Sequence, residues 1–475
     1  MKHSHVSGLT SQASRFTLHA SLKRVSSVLT IIISLAYSQE IPGDFFETDL
    51  YEFSLDNGEN WETHTIFGSP RYPNNNTVES DSLIINARMG MHTINGAMAL
   101  FGFGHFTYSN HFYGYLYPRI VNDVDAFPRY SGIPRDISRK GFSSGETDLS
   151  GIGFENDWLM IQWGRGREDW GAGSQISLPL NEYSPAYDYG ALRLSFNQLR
   201  VKYMHGFLES LDTDVNRYIT ARGIEYTNKN SFLFGLSEIV IYSGVNRPVD
   251  LGYLNPMSTH LEIELNERLN SLGTSNANAV WQASLDWMVK EKVRISGNFL
   301  FDEFVIDDVE KDAGKEHGLA YSARIATTPI KTESLSLTTF MSHIKVGTPT
   351  FRHGTGSNNF VVRQKPLGWI YGSDGRETVV GINLNYQNSI LAEVGIGLRE
   401  SGEESITSAP YLPYEDYLSG PFPSGEVQKE SMFNSSVKWK IKSWARLDGA
   451  VFWAQDKGAE LKAGIFLFFP KRFIL

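Results

Sequence analysis

Residues 158–190 hold a group of side chains that suits ligand binding. A strand-like run ends in glycines and arginines, and tryptophan and tyrosine follow before the next run. Guanidinium groups donate hydrogen bonds in a planar fork and aromatic rings offer flat apolar faces, so together they can hold a sugar. The same residue types also form the interfacial belt of membrane proteins, and the spacing leaves both interpretations open. The candidate ligand contacts in this stretch are Arg165, Arg167, Trp170, Tyr183 and Tyr187.

A second group of the same chemistry lies upstream. Arg129, Tyr130 and Arg135 fall within residues 119–148, which separate two strand-like runs. We include these three residues as further candidates for polysaccharide binding. Aromatic loops are also common in membrane barrels with no role in glycan binding, and that alternative stands beside the binding hypothesis.

Signals for catalysis are weaker. A hydrolase needs a nucleophile, a base and an orienting group held together. His205, with Ser195 or Ser210 near it in sequence, is the one arrangement of this kind, but a lone histidine on a strand is more often interfacial than catalytic. The acidic residues of 302–312 lack the spacing of a calcium-binding loop, and we interpret them as a solvated external loop. The sequence therefore predicts no enzyme, no metal site and no cofactor.

The composition narrows the class of protein. The 475 residues include 29 Phe, 22 Tyr and 10 Trp but no cysteine. Absence of cysteine excludes a disulfide scaffold, thiolate metal ligands and a cysteine nucleophile. The formal net charge of −10 argues against nucleic acid as a partner and against a polybasic membrane patch.

The first 38 residues have the features of an export signal. They contain no acidic residue, and Lys23 and Arg24 precede a short apolar run at 28–35. Small residues at 36 and 38 then fit the requirements of a signal peptidase, which predicts cleavage before Gln39. The apolar run is too short to span a bilayer as a helix. We therefore predict a signal peptide with an N-terminal extension over residues 1–38 and Sec-type export.

The rest of the chain predicts membrane strands instead of membrane helices. No stretch beyond residue 38 has 18 consecutive apolar residues, which excludes helical spans. Period-two alternation is clearest in residues 280–289 and 293–301, which only three residues separate. Runs of this kind predict nine strands in each direction. The last run, 461–475, alternates up to the final residue, which is typical of the terminal strand that the outer-membrane insertion machinery recognises. The predicted fold is all-β: an 18-stranded antiparallel transmembrane β-barrel over residues 83–475, since a closed barrel satisfies its backbone between strands.

The connections between the predicted strands alternate in length. Outer-membrane barrels have short periplasmic turns and long external loops. The predicted external connections are 119–148, 166–189, 243–279, 302–318, 345–376 and 400–429. Residues 243–279 have partly helical spacing, which predicts a short external or lumenal helix. Residues 39–82 precede the strands, and we interpret them as a short, partly helical periplasmic segment.

The order of several short motifs resembles the Wzi-type capsule assembly family of outer-membrane β-barrels. Gly164-Arg165 precedes 170–173 (WGAG) and Leu178, and 253–257 (YLNPM) follows. Leu285-Asp286 then leads to 301–304 (FDEF). This resemblance covers residues 83–475 and implies an 18-stranded barrel with a helical periplasmic piece. It also implies a lectin-like role in holding and organising capsular polysaccharide.

Three classes of function follow from these observations. The leading hypothesis is a non-enzymatic outer-membrane protein that binds capsular or other surface polysaccharide. Its expected partners are that polysaccharide, outer-membrane lipid and lipopolysaccharide, and the insertion machinery, and we expect a monomer. The alternative is a porin or diffusion channel, whose polar lumen would agree with Arg193, Arg200, Lys202 and Arg222 on predicted strands. A lipid-modifying hydrolase is the third class.

Overall fold

The structure is a computed structural model that describes most of the chain beyond the predicted signal peptide. The described residues are 45–56, 82–109, 111–127, 129–135, 140–212, 214–266, 277–303, 308–312, 314, 316–414, 421–455 and 457–475. The predicted signal peptide and much of the segment at 39–82 lie outside them. Within these ranges, no helix is both long enough and apolar enough to cross a bilayer.

Strands dominate the described part of the chain. They are β1 (Leu83–Ile94), β2 (Ala97–Tyr108), β3 (Phe112–Val121), β4 (Ser144–Glu155), β5 (Leu159–Gly166), β6 (Tyr187–Phe196), β7 (Leu199–Ser210), β8 (Val215–Thr227), β9 (Phe232–Val245), β10 (Ala277–Lys290), β11 (Val293–Glu303), β12 (Gly318–Lys331), β13 (Leu335–Val346), β14 (Val361–Val362), β15 (Lys365–Pro366), β16 (Gly375–Tyr386), β17 (Ile390–Ser401), β18 (Gln428–Lys442), β19 (Ala445–Ala454) and β20 (Gly458–Ile474). The helices are α1 (Phe45–Asp56), α2 (Leu251–Leu254), α3 (His260–Leu265) and α4 (Asp308–Asp312), with a 3₁₀ turn at Gly356–Asn358.

Eighteen of these strands form one closed antiparallel sheet, and β14 and β15 form a separate small hairpin. Each barrel strand pairs with its neighbours in sequence, and β1 pairs with β20 to complete the cylinder. Closure leaves no strand edge unpaired, which is the condition for crossing a membrane with strands. The predicted 18-stranded antiparallel barrel is confirmed.

The two ends of the barrel differ in the length of their connections. At one end every connection is a short turn, such as 197–198 between β6 and β7 or 291–292 between β10 and β11. The long connections 122–143, 167–186, 246–276, 347–374 and 402–427 all leave the opposite end. By the usual polarity of such barrels, the short turns mark the periplasmic end and the long loops the extracellular end.

Side chains alternate between the two faces of the wall. On β17, Val394, Ile396 and Leu398 are exposed on the outer face, whereas Leu391 and Arg399 are buried on the inner face. Most of the other strands repeat this pattern, because successive side chains of a strand point to opposite sides of the sheet; β8 and β9 depart from it at Arg222 and Glu238. An apolar outer belt around a polar interior is the arrangement that suits lipid outside and protein inside.

Two of the long connections, residues 167–186 and 347–374, fold into the lumen and pack on its wall, and we call them the lumen plug. Its buried core includes Trp170, Leu178, Phe360 and Trp369, packed against inward-facing residues of the wall such as Ile239. The two segments are joined backbone to backbone, since the Asn181 amide donates to Leu367 O at 2.8 Å and the Trp369 amide to Leu178 O at 3.1 Å. Gly368 is required at this contact, because a Cβ there would lie 1.8 Å from Leu178 O.

Polar residues of the inner wall fasten the plug. The Ala172 amide donates to Asn298 Oδ1 at 2.7 Å, and Asn298 Nδ2 donates back to Ala172 O at 2.9 Å. Ser322 Oγ donates to Ile176 O at 2.7 Å. Gly173 lies in the left-handed region with φ of 83°, and a Cβ there would meet Ser296 at 2.6 Å. The plug therefore touches the wall itself, with its loop carbonyls and amides paired inside the barrel.

Helix α1 lies against the inner wall. Leu50 and Phe53 pack on Leu391 of β17, and Arg324 of β12 donates to Asp56 at 2.6 Å. Ser174 Oγ of the plug donates to Glu52 at 2.9 Å. The predicted helical content before the barrel is confirmed for residues 45–56. This helix lies within the barrel, between the inner wall and the plug segment that contains Ser174.

Candidate ligand-binding cleft

Two of the predicted ligand contacts, Arg167 and Trp170, are internal parts of the plug. Arg167 donates through Nε to Ser184 O at 2.6 Å and through Nη2 to Ser131 Oγ at 2.7 Å, and it pairs with Asp148 at 3.3 Å. Burial lowers the pKa of Arg167 to about 10, against the opposing effect of Asp148, so the side chain stays charged at neutral pH. Trp170 is fully buried, and its indole donates to Glu168 at 2.8 Å.

Tyr130 and Tyr187 are also buried. The Tyr130 hydroxyl donates to Ser144 Oγ at 2.8 Å, and the guanidinium of Arg119 lies 5.1 Å from its ring centre. Tyr187, at the start of β6, is 1 % exposed and packs beside Tyr189 in the core of the plug. Tyr187 therefore contributes packing to the plug, and Tyr130 packs in a separate cluster with Val121 and Phe127.

Arg165 lies at the extracellular rim of the wall. It pairs with Glu146 at 3.4 Å and with Asp188 at 3.1 Å, so two carboxylates share its charge. Its position at the end of β5 agrees with either the binding interpretation or the interfacial interpretation of this arginine.

The remaining candidates keep more accessible surface. Tyr183 is 45 % exposed, and the Arg129 guanidinium lies 4.8 Å from its ring centre. Arg129 also pairs with Glu182. Arg135 is exposed, and its backbone amide donates to Ser143 O at 3.0 Å. That these three residues contact polysaccharide stays a prediction.

A cleft of about 470 Å³ opens at the extracellular end, between the inner face of β17 and β18 and the neighbouring loops. The loops contribute 402–408 and the end of the plug. We call this feature the rim cleft. Its lining residues are Tyr371, Arg399, Ser401, Gly402, Glu403, Ser405, Thr407, Ser408, Gln428, Glu430 and Lys457.

One wall of the rim cleft is a cation held on an aromatic ring. The guanidinium of Arg399 lies 3.6 Å from the ring centre of Tyr371. Arg399 also pairs with Glu430 and, at 3.8 Å, with Glu377. Burial raises the pKa of Tyr371, so its phenol remains protonated and able to donate and accept hydrogen bonds. Lys457, at the exposed edge of the cleft, forms a further ion pair: its Nζ lies 3.3 Å from Glu430 Oε1.

The floor of the rim cleft is fixed by Asp374. This buried carboxylate accepts from Thr348 Oγ1 at 2.7 Å, from the Ser424 amide at 2.9 Å and from the Glu404 amide at 3.1 Å. Nearby, Ser405 Oγ donates to Tyr371 O at 3.0 Å. These contacts join the plug to the connection after β17, so the polar groups of the cleft are held in place before any ligand arrives.

The rim cleft combines hydroxyl, amide, aromatic and charged groups, and its two cations face two carboxylates. Such a site suits an uncharged, hydroxyl-rich ligand, because hydrogen bonds and ring contacts are available while net charge is small. Sequence analysis missed Tyr371, Arg399 and Glu430. Arg399 and Glu430 stand in clear strands and look like ordinary wall residues, and only the pairing of β17 with β18 brings them together.

The histidine–serine arrangement considered for a hydrolase around His205 is not assembled. His205 Nε2 and the Tyr242 hydroxyl are hydrogen-bonded at 2.7 Å. Ser210 Oγ donates to Asn216 instead, and Ser195 lies at the opposite end of the β6–β7 hairpin. Among the described residues, neither serine is hydrogen-bonded to this histidine.

Comparison with known proteins finds similarity at the level of structure alone. No family model and no curated sequence matches the chain. The structure is similar to Wzi of Escherichia coli, an outer-membrane protein involved in group 1 capsule assembly and described as a carbohydrate-binding β-barrel. The TM-score is 0.61 at 11 % identity, with 91 % of this chain and 99 % of Wzi covered.

Two structures from Pseudomonas aeruginosa are less similar. OprD aligns with a TM-score of 0.44 at 11 % identity, covering 83 % of this chain and 96 % of OprD. OpdK, solved with vanillate, aligns with a TM-score of 0.45 at 9 % identity, covering 82 % and 98 %. At such identities the Wzi match shows a shared fold, that of an outer-membrane β-barrel.

Proposed function

We propose that the protein is a non-enzymatic outer-membrane β-barrel that binds capsular or other surface polysaccharide at its extracellular end. The observation that carries this proposal is a plug folded into the lumen beneath an open, polar and aromatic rim cleft. A barrel built in this way presents a binding surface to the outside. The similarity to Wzi, itself a carbohydrate-binding barrel, supports the same proposal.

The rim cleft is the site we assign to the glycan. Tyr371 and Ser405 lie deep in the cleft, and the exposed residues Gln428 and Thr407 lie at its edge. Sugar rings use both kinds of group, since hydroxyls pair with the polar edge and apolar ring faces lie on tyrosine. The balance of cations and carboxylates predicts that binding changes little between low and moderate salt. Arg129, Tyr183 and Arg135 are secondary candidates for contacts with a long chain.

Binding is tested with polysaccharide extracted from the surface of the source bacterium and the purified barrel in detergent. We expect Tyr371→Ala and Gln428→Ala to weaken binding about tenfold or more together, because each good contact is worth roughly 1 kcal/mol. Tyr386→Ala is the matched control, since this exposed tyrosine lies at the periplasmic end of β16. Equal binding by all variants would exclude the rim cleft, and absence of binding by the native barrel would contradict the function.

The alternative is a diffusion channel, favoured by the many charged residues on the inner wall. Arg193, Arg200 and Lys202 do face the interior, but each pairs with a carboxylate: Glu155, Glu225 and Glu168 respectively. Conductance in planar bilayers separates the two functions. A silent barrel supports surface binding, whereas a large and steady current from the native protein would favour the channel.

The cellular setting completes the proposal. We infer that the protein is exported through the Sec pathway and inserted as a monomer by the outer-membrane insertion machinery, among outer-membrane lipid and lipopolysaccharide. Deleting the gene should then release polysaccharide from the cell surface, and unchanged retention would contradict a role in attachment.

A further inference from the structure

A charged and hydrogen-bonding patch occupies the outer face of the barrel wall. Arg222 of β8 shares that face with Ile224 and Tyr226, which are exposed. Glu238 of β9 shares it with Phe234 and Leu236 and pairs with Arg222 at 3.3 Å. Arg222 was expected in a polar lumen, and the alternation of β8 instead directs it outward. Charged groups on the lipid face of a barrel are destabilising, most of all near the middle of the bilayer.

Residues 247–265, which include α2 and α3, cover this patch, and we call them the outer-wall cover. The Tyr203 hydroxyl on β7 donates to Tyr253 O and Leu254 O, each at 2.9 Å. Glu238 accepts from the His260 amide at 3.0 Å and from the Trp281 indole at 3.0 Å. The predicted helix in this connection is thus external and lies on the wall itself.

Aromatic stacking joins the cover to the wall. Tyr242 of the wall lies 4.6 Å from Tyr253 of the cover, with ring planes 17° apart. On one side Tyr218 continues the stack at 5.0 Å, and on the other His260 follows at 6.0 Å. Small residues make room for the cover, since Ala277 and Ala279 of β10 lie on the buried side of this cluster.

The cover lies at the middle of the wall. Tyr203, which bonds to it, stands four positions from Leu199 and four from Phe207, and both of those residues are exposed on the same face of β7. At about 3.3 Å per residue, exposed apolar side chains of the wall therefore stand roughly 13 Å along the strand on either side of the contact.

Most of the large exposed side chains of the cover are apolar, and the exposed polar residues Asn255, Thr259 and Glu264 lie among them. Leu251 and Met257 are 65 % and 84 % exposed, and Val249, Leu254 and Leu261 are exposed as well. These side chains continue the surface of exposed wall residues such as Leu236 and Phe299. The cover therefore lies over the polar patch of the wall and presents a largely apolar surface at the same position along the barrel axis.

We propose that the outer-wall cover is a membrane-inserted element whose exposed side chains contact the acyl chains of the bilayer. Its polar inner side pairs with Arg222, Glu238 and Tyr203, and its largely apolar outer side faces lipid. A loop backbone can lie at this depth because the wall and its own turns satisfy many of its polar groups. The proposal is independent of what the rim cleft binds.

The test uses single cysteines, which is direct because the native chain has none. Met257→Cys and Leu254→Cys receive a nitroxide label in the full barrel, reconstituted into phosphatidylcholine vesicles. Collision rates are measured with oxygen, which concentrates in lipid, and with a water-soluble nickel chelate. Ile396→Cys on the uncovered wall is the lipid control, and Val309→Cys in α4 is the aqueous control; both native side chains are well exposed.

We expect the labels at 254 and 257 to match Ile396→Cys, with the ratio of oxygen to nickel collisions several-fold above that of Val309→Cys. A ratio equal to that of Val309→Cys would overturn the proposal and leave the cover in water. Low collision rates with both reagents would also overturn it, because a protein partner would then occupy the surface. Heat-modifiable migration in gels verifies that each variant is folded.

Discussion

The lumen plug and the outer-wall cover are both long extracellular connections folded back along the barrel, but they lie on opposite faces of the wall. The plug fastens to the inner face by hydrogen bonds from wall side chains such as Asn298 and Ser322 to its backbone. The cover fastens to the outer face by stacked rings and by contacts to Glu238. The character of each wall face thus decides how a loop can attach to it.

The largest effect is expected at Arg217, the strongest fastening of the plug. This fully buried guanidinium donates to Val361 O at 2.8 Å and Asn359 O at 2.6 Å and pairs with Glu209. Arg217→Ala should cost about 3–5 kcal/mol, since it removes the cation paired with Glu209 and the donors to three carbonyls of the plug. Urea unfolding in detergent measures the loss. An unchanged midpoint would mean that the inner wall does not hold the plug.

Replacing one aromatic group on each face sharpens the comparison. Trp170→Ala removes a fully buried ring from the plug and should cost about 3–5 kcal/mol, while opening a path for ions. Tyr253→Ala removes a ring of the outer-wall cover and should destabilise the fold with no gain in conductance. Current from the Tyr253→Ala barrel and none from Trp170→Ala would reverse the assignment of the two faces.

The plug also contains a carboxyl group with a raised pKa. Burial raises the pKa of Asp169 to about 7, with Glu182 adding to the shift. The unfolded chain ionises near 3.8, so folding is favoured at low pH and stability falls as the pH rises towards 7. Asp169→Asn should therefore raise the free energy of unfolding at pH 8 by up to a few kcal/mol, since one pKa unit is worth about 1.4 kcal/mol. At pH 4 the free energy of unfolding should change little. Urea unfolding measures both.

The exposed Asp188 supplies the control for this experiment. Asp188→Asn makes the same chemical change where the side chain is 55 % exposed and pairs with Arg165. It should not reproduce the gain at pH 8. A benefit of Asp169→Asn that is equal at pH 4 and pH 8 would show that the buried charge is not its cause.

The smallest effect is expected at the rim, away from both attachments. Arg376 pairs with Glu400 across β16 and β17, and its side chain is 48 % exposed. Arg376→Ala should cost below about 1 kcal/mol, because solvent screens exposed ion pairs. A loss as large as that of Arg217→Ala would remove the distinction between buried and exposed fastenings.

The sequence predicted the wall well because its signal is local. Residues 280–289 and 293–301 were expected as a hairpin, and β10 and β11 form it with slightly longer bounds. Alternation is a property of each strand alone, and the lengths of connections are set along the chain. The number of strands, their antiparallel order and the two unlike ends could therefore be derived without any tertiary contact.

The destinations of the loops were decided only by the tertiary structure. Arg167 and Trp170 have the residue types of a sugar site, yet both are buried in the plug, because an arginine or an indole is satisfied equally by a ligand and by the barrel interior. The rim cleft depends on Arg399 and Glu430, which become neighbours when β17 pairs with β18. Periodicity specifies which face of a strand a residue occupies, and only the closed barrel determines what covers that face.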